Sequence, residues 1–236
     1  MHDYIILNDI SSKSINGLLI QQLPPISKPA IRIKTEEIDG RDGDIVTKLG
    51  YSAYDKQVQI GLFGGFDIDE VIEFFNSDGI VTFSNETDKY YKYQILKQVD
   101  YEKLLRFRTA IVTFHVQPFK YSNIEKEKEY NITNEDSIII RNNGNYYSRP
   151  VVTLYGNGTI NLSLNEEQLF VIDLSDETEI TLDFDTMNAY NKETNVFKNR
   201  LVTGNYDNFK LKVGKNTISW TGSISKIEIE NYSRWI

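Results

Sequence analysis

Apolar residues in this chain hardly ever run together. They alternate with polar ones over short stretches, which Gly, Asn, Asp or Pro then bring to a halt. Alternation with a period of two sends side chains to opposite faces of a strand, so each stretch reads as a strand with one wet face. Ile31 and Ile33, set between Arg32 and Lys34, show the pattern plainly, and Val58, Ile60 and Leu62 repeat it before Gly64-Gly65. A chain written this way folds into sheets.

One stretch departs from the rule. Between Asp67 and Ser77, Ile68, Val71, Ile72 and Phe75 fall at i, i+3, i+4 and i+7, the apolar stripe of a helix lying on a sheet. Asp67 is placed to accept from the first-turn amides, and Glu70 follows three residues later as in a capping box. Gly79 suits the left-handed position that would stop the helix. Around it, strands are expected at Tyr4–Leu7, Gly17–Leu23, Ile80–Phe83, Tyr90–Gln98 and Thr109–Gln117, the last two joined through Asp100 to Leu105. The stretch from Pro24 to Pro29 is expected to be an edge or an extended crossover, because proline cannot donate to a ladder.

Composition changes near residue 120. Of the 21 asparagines, 17 lie after Ser122, and this half reads as short strands separated by Asn/Gly turns. The expected strands are Ser137–Arg141, Pro150–Tyr155, Thr159–Leu164, Gln168–Leu174, Glu179–Asp183, Phe209–Val213, Thr217–Trp220 and Ile224–Glu230. Their spacing of about 8–12 residues argues for a β-sandwich or jelly roll. The stretch Ile124–Tyr130 alternates charge without apolar periodicity, as a connector or a Lys/Glu-rich edge strand would. The fold class expected is mainly β in two domains. Residues 1–130 would form a β domain with one helix at about 67–77, and 131–236 a β-sandwich, the boundary falling between 121 and 136.

Bulk properties remove several functions. The formal net charge is -8 and the basic residues are scattered singly, which argues against a nucleic-acid groove. The absence of cysteine excludes disulfides, thiolate metal sites and Cys nucleophiles. Met1, His2 and Asp3 open the chain without a basic n-region, so no signal peptide is expected. No apolar run approaches the roughly 20 residues of a membrane span, and no membrane insertion is expected.

Catalytic and cofactor chemistry finds little to stand on. His2 sits at the terminus, and His115 lies mid-strand with no nucleophile or acid tied to it by pattern and no G-x-S-x-G elbow. The run Gly61–Gly65 lacks the Lys-Ser/Thr of a phosphate loop. Asp39, Asp42 and Asp44 could be taken for calcium ligands, but no Glu falls at the twelfth position and Arg41 sits among them. Carboxylate pairs such as Glu36-Glu37 and Asp183/Asp185 are too common in an acidic chain to mark a glycosidase. No enzyme activity, metal or cofactor is therefore expected. The remaining candidates are contact residues. Tyr146 and Tyr147, in an Asn/Gly loop, could stack on a glycan, whereas Trp220 shares a face with Ile218 and is expected in the core.

The ordered set of motifs resembles the distal tail proteins of phages with long non-contractile tails. The matching pieces in the first half are S-I-N-G-L-L-I, the turn E-I-D-G-R-D-G-D-I-V, the helix F-D-I-D-E-V-I-E-F-F and R-F-R-T-A-I-V-T-F-H-V-Q-P-F-K-Y. In the second half they are Asn199 to Gly204, Phe209 and Leu211, Gly214 to Ile218, and Gly222 with I-E-I-E-N-Y-S-R-W. The resemblance implies an N-terminal domain that assembles into a homohexameric ring and a galectin-like C-terminal sandwich. It implies a structural component of the virion at the tail tip, made in the cytoplasm of the host bacterium. The ring would join the tail tube protein to the tail-associated fibre or hub protein and to receptor-binding proteins. Within that reading Asp39, Arg41, Asp42 and Asp44 are expected to form an oligomer or tube contact. A non-catalytic carbohydrate-binding adhesin is the alternative.

Overall fold

The alternating stretches of the first half do become strands. A computed structural model describes residues 3–125 and 127–236, and the chain divides into two units, Met1–Lys120 with Ile236 and Tyr121–Trp235. The first unit runs β1 (Ile5–Leu7), β2 (Ile10–Ser11), β3 (Leu18–Gln22), β4 (Ile31–Glu36), β5 (Ile45–Tyr51) and β6 (Tyr54–Leu62). It continues with α1 (Ile68–Phe74), β7 (Gly79–Phe83), β8 (Lys89–Gln94), α2 (Tyr101–Phe107) and β9 (Thr109–Ser122), whose last two residues belong to the second unit.

Seven of these strands form one sheet in the order β2-β1-β7-β8-β9-β6-β3. The even-numbered residues Val58, Ile60 and Leu62 of β6 and Val112, Phe114 and Val116 of β9 all turn to one buried face. Phe114 is the hub of that face, with Phe75, Phe83 and Tyr93 meeting its ring edge-on. Val71, Phe74 and Phe75 bring α1 into the same core, and Leu104 does so for α2.

Two helices are present where the sequence reading has one. In α2 the Asp100 side chain accepts from the Lys103 amide and Arg108 closes the helix in the left-handed region. Only Leu104 is buried, so no apolar stripe announced it. The first helix is shorter than expected, ending at Phe74 with Phe75 as its C-cap. Its N-cap is Asp67, which accepts from Asp69 N. Gly79 is not the helix stop. It opens β7 at φ +143, where a Cβ would collide with the Asn8 side chain that accepts from Ile80 N and donates to Asp78 O.

The second unit contains β10 (Glu127–Asn131), β11 (Ser137–Asn142), β12 (Val151–Leu164), β13 (Glu167–Leu174), β14 (Glu179–Asp183), β15 (Asn188–Tyr190), β16 (Val202–Gly204), β17 (Gly214–Glu230) and β18 (Arg234–Trp235). Two expected turns are bends instead. Asn157-Gly158 and Gly222 lie inside single long strands, β12 and β17, which pair with each other antiparallel along their length. At the bend a Cβ on Gly222 would strike the Thr159 carbonyl, and one on Gly156 the Ser223 carbonyl. On one side of the bend β12 pairs β14 and β17 pairs β10; on the other β12 pairs β13 and β17 pairs β11. The two halves bury one core, with Leu154, Ile180 and Ile227 from one and Leu162, Phe170 and Ile218 from the other. That is a sandwich made by folding one sheet over itself.

Trp220 belongs to this core. Phe209 and Leu211 are buried too, but as part of a loop with a single bridge to Ser148 rather than the expected strand. The charge-alternating stretch holds β10, an edge strand carrying Glu127, Lys128 and Glu129.

Candidate assembly surfaces

The hairpin of β4 and β5 is a two-stranded sheet apart from the main one. Its register pairs Ile31 with Tyr51, Ile33 with Lys48, Lys34 with Thr47, Thr35 with Val46 and Glu36 with Ile45. Directly opposed residues share a face, and a bulge between Arg32 and Ile33 leaves Leu49 as the extra residue. One face therefore carries Ile31, Ile33, Thr35, Val46 and Tyr51 with Lys48 opposite Ile33, and the other Arg32, Lys34, Glu36 and Thr47 with Ile45 opposite Glu36. The apolar face is the one expected to be covered. Its base is held where the Tyr51 ring meets Phe119 edge-on at 5.8 Å. Ile33 and Val46 are each 53% exposed.

The tip of this arm is the D-G-R-D-G-D turn. Gly40 and Gly43 adopt φ +79 and +77 and give the tip its reversals, and Asp39, Arg41, Asp42 and Asp44 are all exposed. Sequence reasoning placed these four together and the structure puts them at the end of an exposed hairpin. Five carboxylates stand against one arginine between Glu36 and Asp44. No cluster of three or more His, Asp or Glu is placed to hold a metal among the described residues.

A second apolar surface lies where β6 ends and β9 begins. Leu62 N donates to Arg108 O, and Phe63 N to Gly17 O, so the Phe63–Phe66 loop sits beside the end of α2. Phe63 is 73% and Phe107 61% exposed, with Leu105 also exposed. Arg108 stacks on Phe66 at 4.7 Å and Arg106 on Phe107 at 5.4 Å. Lys103, Arg106 and Arg108 make this end basic, and none of them is in an ion pair among the described residues. Nothing in the sequence pattern marked it, because its residues come from a loop and an unexpected helix.

His115, mid-strand, meets Asp55 on the neighbouring strand, Nδ1 to carboxylate 2.9 Å. The hydrogen bond from Lys97, then the one with His115, holds the Asp55 carboxyl below the usual carboxylate range. No serine or threonine hydroxyl is bonded to the other ring nitrogen among the described residues, so the pair has an acid and a base but no bonded nucleophile.

Lys56 is the unusual charge of the first unit. It shares the core face of β6 with Val58, is 3% exposed, and donates to Pro25 O at 2.9 Å. Burial pulls its pKa down to about 8, opposed by Glu86 and assisted by Lys120. Glu86 itself bonds Lys120 at 2.8 Å and accepts from the Tyr91 hydroxyl at 2.9 Å.

In the second unit Tyr146 and Tyr147 lie with ring centroids 4.5 Å apart, tilted 33°. The buried Arg234 guanidinium stands 5.6 and 4.9 Å from the two rings, donates to Tyr147 O, and reaches Asp185 at 3.5 Å. Burial, then Asp185, pushes the Tyr121 hydroxyl up to about 12 beside the same arginine. Both tyrosines are half-buried, so much of each ring serves internal packing.

The described residues thus present an exposed arm and an exposed aromatic, basic patch. No protein-family model matches the sequence, and no curated relative matches it. Solved structures do match in fold. The chain aligns with the Dit protein (gp 19.1) of phage SPP1, described as a paradigm of the hub adsorption apparatus in phages infecting Gram-positive hosts. The TM-score is 0.63 at 15% identity, with 100% of both chains covered. It also aligns with a chain of the phage P2 baseplate in its activated conformation with calcium, at a TM-score of 0.53, 9% identity and 100% and 99% coverage. The chain has the fold of a phage tail-hub protein over its whole length.

Proposed function

We propose that this chain is a structural phage tail-hub protein that forms a homohexameric ring between the tail tube and the tail tip. The full-length likeness to the SPP1 Dit fold carries the reading. The β4–β5 arm supports it from within the chain, because a two-stranded hairpin that leaves Ile31, Ile33 and Val46 exposed is marginal in water by itself. A ring joined head to tail needs two different patches on each subunit. Its partners would be the tail tube protein, the fibre or hub protein and receptor-binding proteins, and the virion tail tip would be its place. An antibody against the chain tests that placement: label at the tail tip of intact virions is expected. Label on the capsid or along the whole tail, or none, would refute it.

A further inference from the structure

We infer that the arm of one copy docks its apolar face on the Phe63–Phe107 end of the first unit of the next copy, its acidic tip against Lys103, Arg106 and Arg108. The inference rests on the ring reading and names the two surfaces that would close it. The period-2 pattern of β4 puts Ile31 and Ile33 on a face meant for burial, yet that face is exposed, as is Val46 beside them. An apolar strip of this kind on an isolated hairpin marks a surface that something covers. Phe63, Leu105 and Phe107 supply an exposed apolar surface on the same chain, and neither surface is packed on the other within it.

Charge selects the pairing. The tip between Glu36 and Asp44 carries five carboxylates and one arginine, while Lys103, Arg106 and Arg108 flank the aromatic patch. Opposite potentials favour this docking, and like charge disfavours tip against tip. The far face of the arm, with Arg32, Lys34 and Glu36 and the Lys34–Glu36 ion pair, suits water and would stay wet. Because the patches differ, each copy offers one arm and receives another. Repetition of such a contact goes on past a dimer, and it closes into a ring where the rotation between copies returns to the start.

Two charge-reversed full-length variants test this. One carries Asp42→Lys and Asp44→Lys, the other Lys103→Glu and Arg106→Glu; all four positions are exposed, and unchanged far-UV spectra and melting verify folding. Mass is read by light scattering after size exclusion. Wild type is expected at six chains, and each variant alone at a mass of one chain unless concentrated at least tenfold further. A 1:1 mixture is expected to regain six chains, since reversed tips meet reversed patches and native tips meet native patches. If wild type assembles and either variant assembles equally well, or the mixture fails to recover, the docking is wrong and the ring stands. A wild type that stays monomeric overturns the ring reading and the docking with it.

Discussion

The arm and β17 are written alike and end differently. Both alternate apolar with polar residues, but in β17 Ile218, Trp220, Ile227 and Ile229 are buried in the sandwich, while in the arm Ile31, Ile33 and Val46 face outward. Alternation states which face a strand hides, not what will hide it. In β17 the cover is the other half of the same folded sheet. In the arm none of the described residues hides Ile33 or Val46, and the docking inferred above would supply the cover.

The comparison can be broken at its buried end first. Phe184 stacks on Phe209 at 3.9 Å and meets Phe170 edge-on. Phe184→Ala is expected to cost about 3–5 kcal/mol of unfolding free energy in urea, the usual cost of emptying an aromatic core site. Less than 1 kcal/mol would mean that the sandwich core is looser than its burial indicates. Next come two left-handed glycines, Gly222 at φ +102 in the bend and Gly40 at φ +79 at the arm tip. Gly222→Ala must also displace the Thr159 carbonyl, so on the order of 2–3 kcal/mol is expected, against about 1 kcal/mol or less for Gly40→Ala, which meets open space. Equal costs in thermal melts would remove the distinction between bend and tip.

A buried charge sharpens the contrast from the first unit. Lys56 has its folded pKa lowered to about 8, below the unfolded value, so between those values the unfolded chain holds more protons. The penalty for burying the cation is complete below pH 8 and fades as pH rises toward the unfolded pKa. Relative to Lys56→Met, wild type should therefore gain melting temperature between pH 7 and 10. A difference that stays flat over that range would contradict the burial of a titrating amine. Smallest in stability is Ile33→Ser on the arm, within about 0.5 kcal/mol in the monomer. Its expected effect lies in assembly, where the concentration needed for a ring should rise severalfold.

Much of the architecture was legible because alternation and burial agree wherever the chain covers itself. Val58, Ile60 and Leu62 read as core and are core, as does Trp220. The two misread turns share one cause. Gly158 and Gly222 look like turn residues, yet the same freedom that reverses a chain also bends a long strand, and only pairing across β12 and β17 decides between them. The second helix was illegible because one buried leucine makes no stripe. Asp39, Arg41, Asp42 and Asp44 were legible as one exposed turn, whereas the Phe63 loop and the end of α2 are brought to one side only by tertiary pairing such as Leu62 N to Arg108 O.

The central claim is that the arm is the half-finished side of an interface between copies. Hydrogen exchange of the full-length chain, read at the amides of Ile31–Glu36 and Ile45–Tyr51 across a dilution series, tests it most directly. The account predicts protection that appears together with the six-chain mass and vanishes on dilution to monomer. Exchange in the arm that is the same in the assembled and dilute states would contradict it.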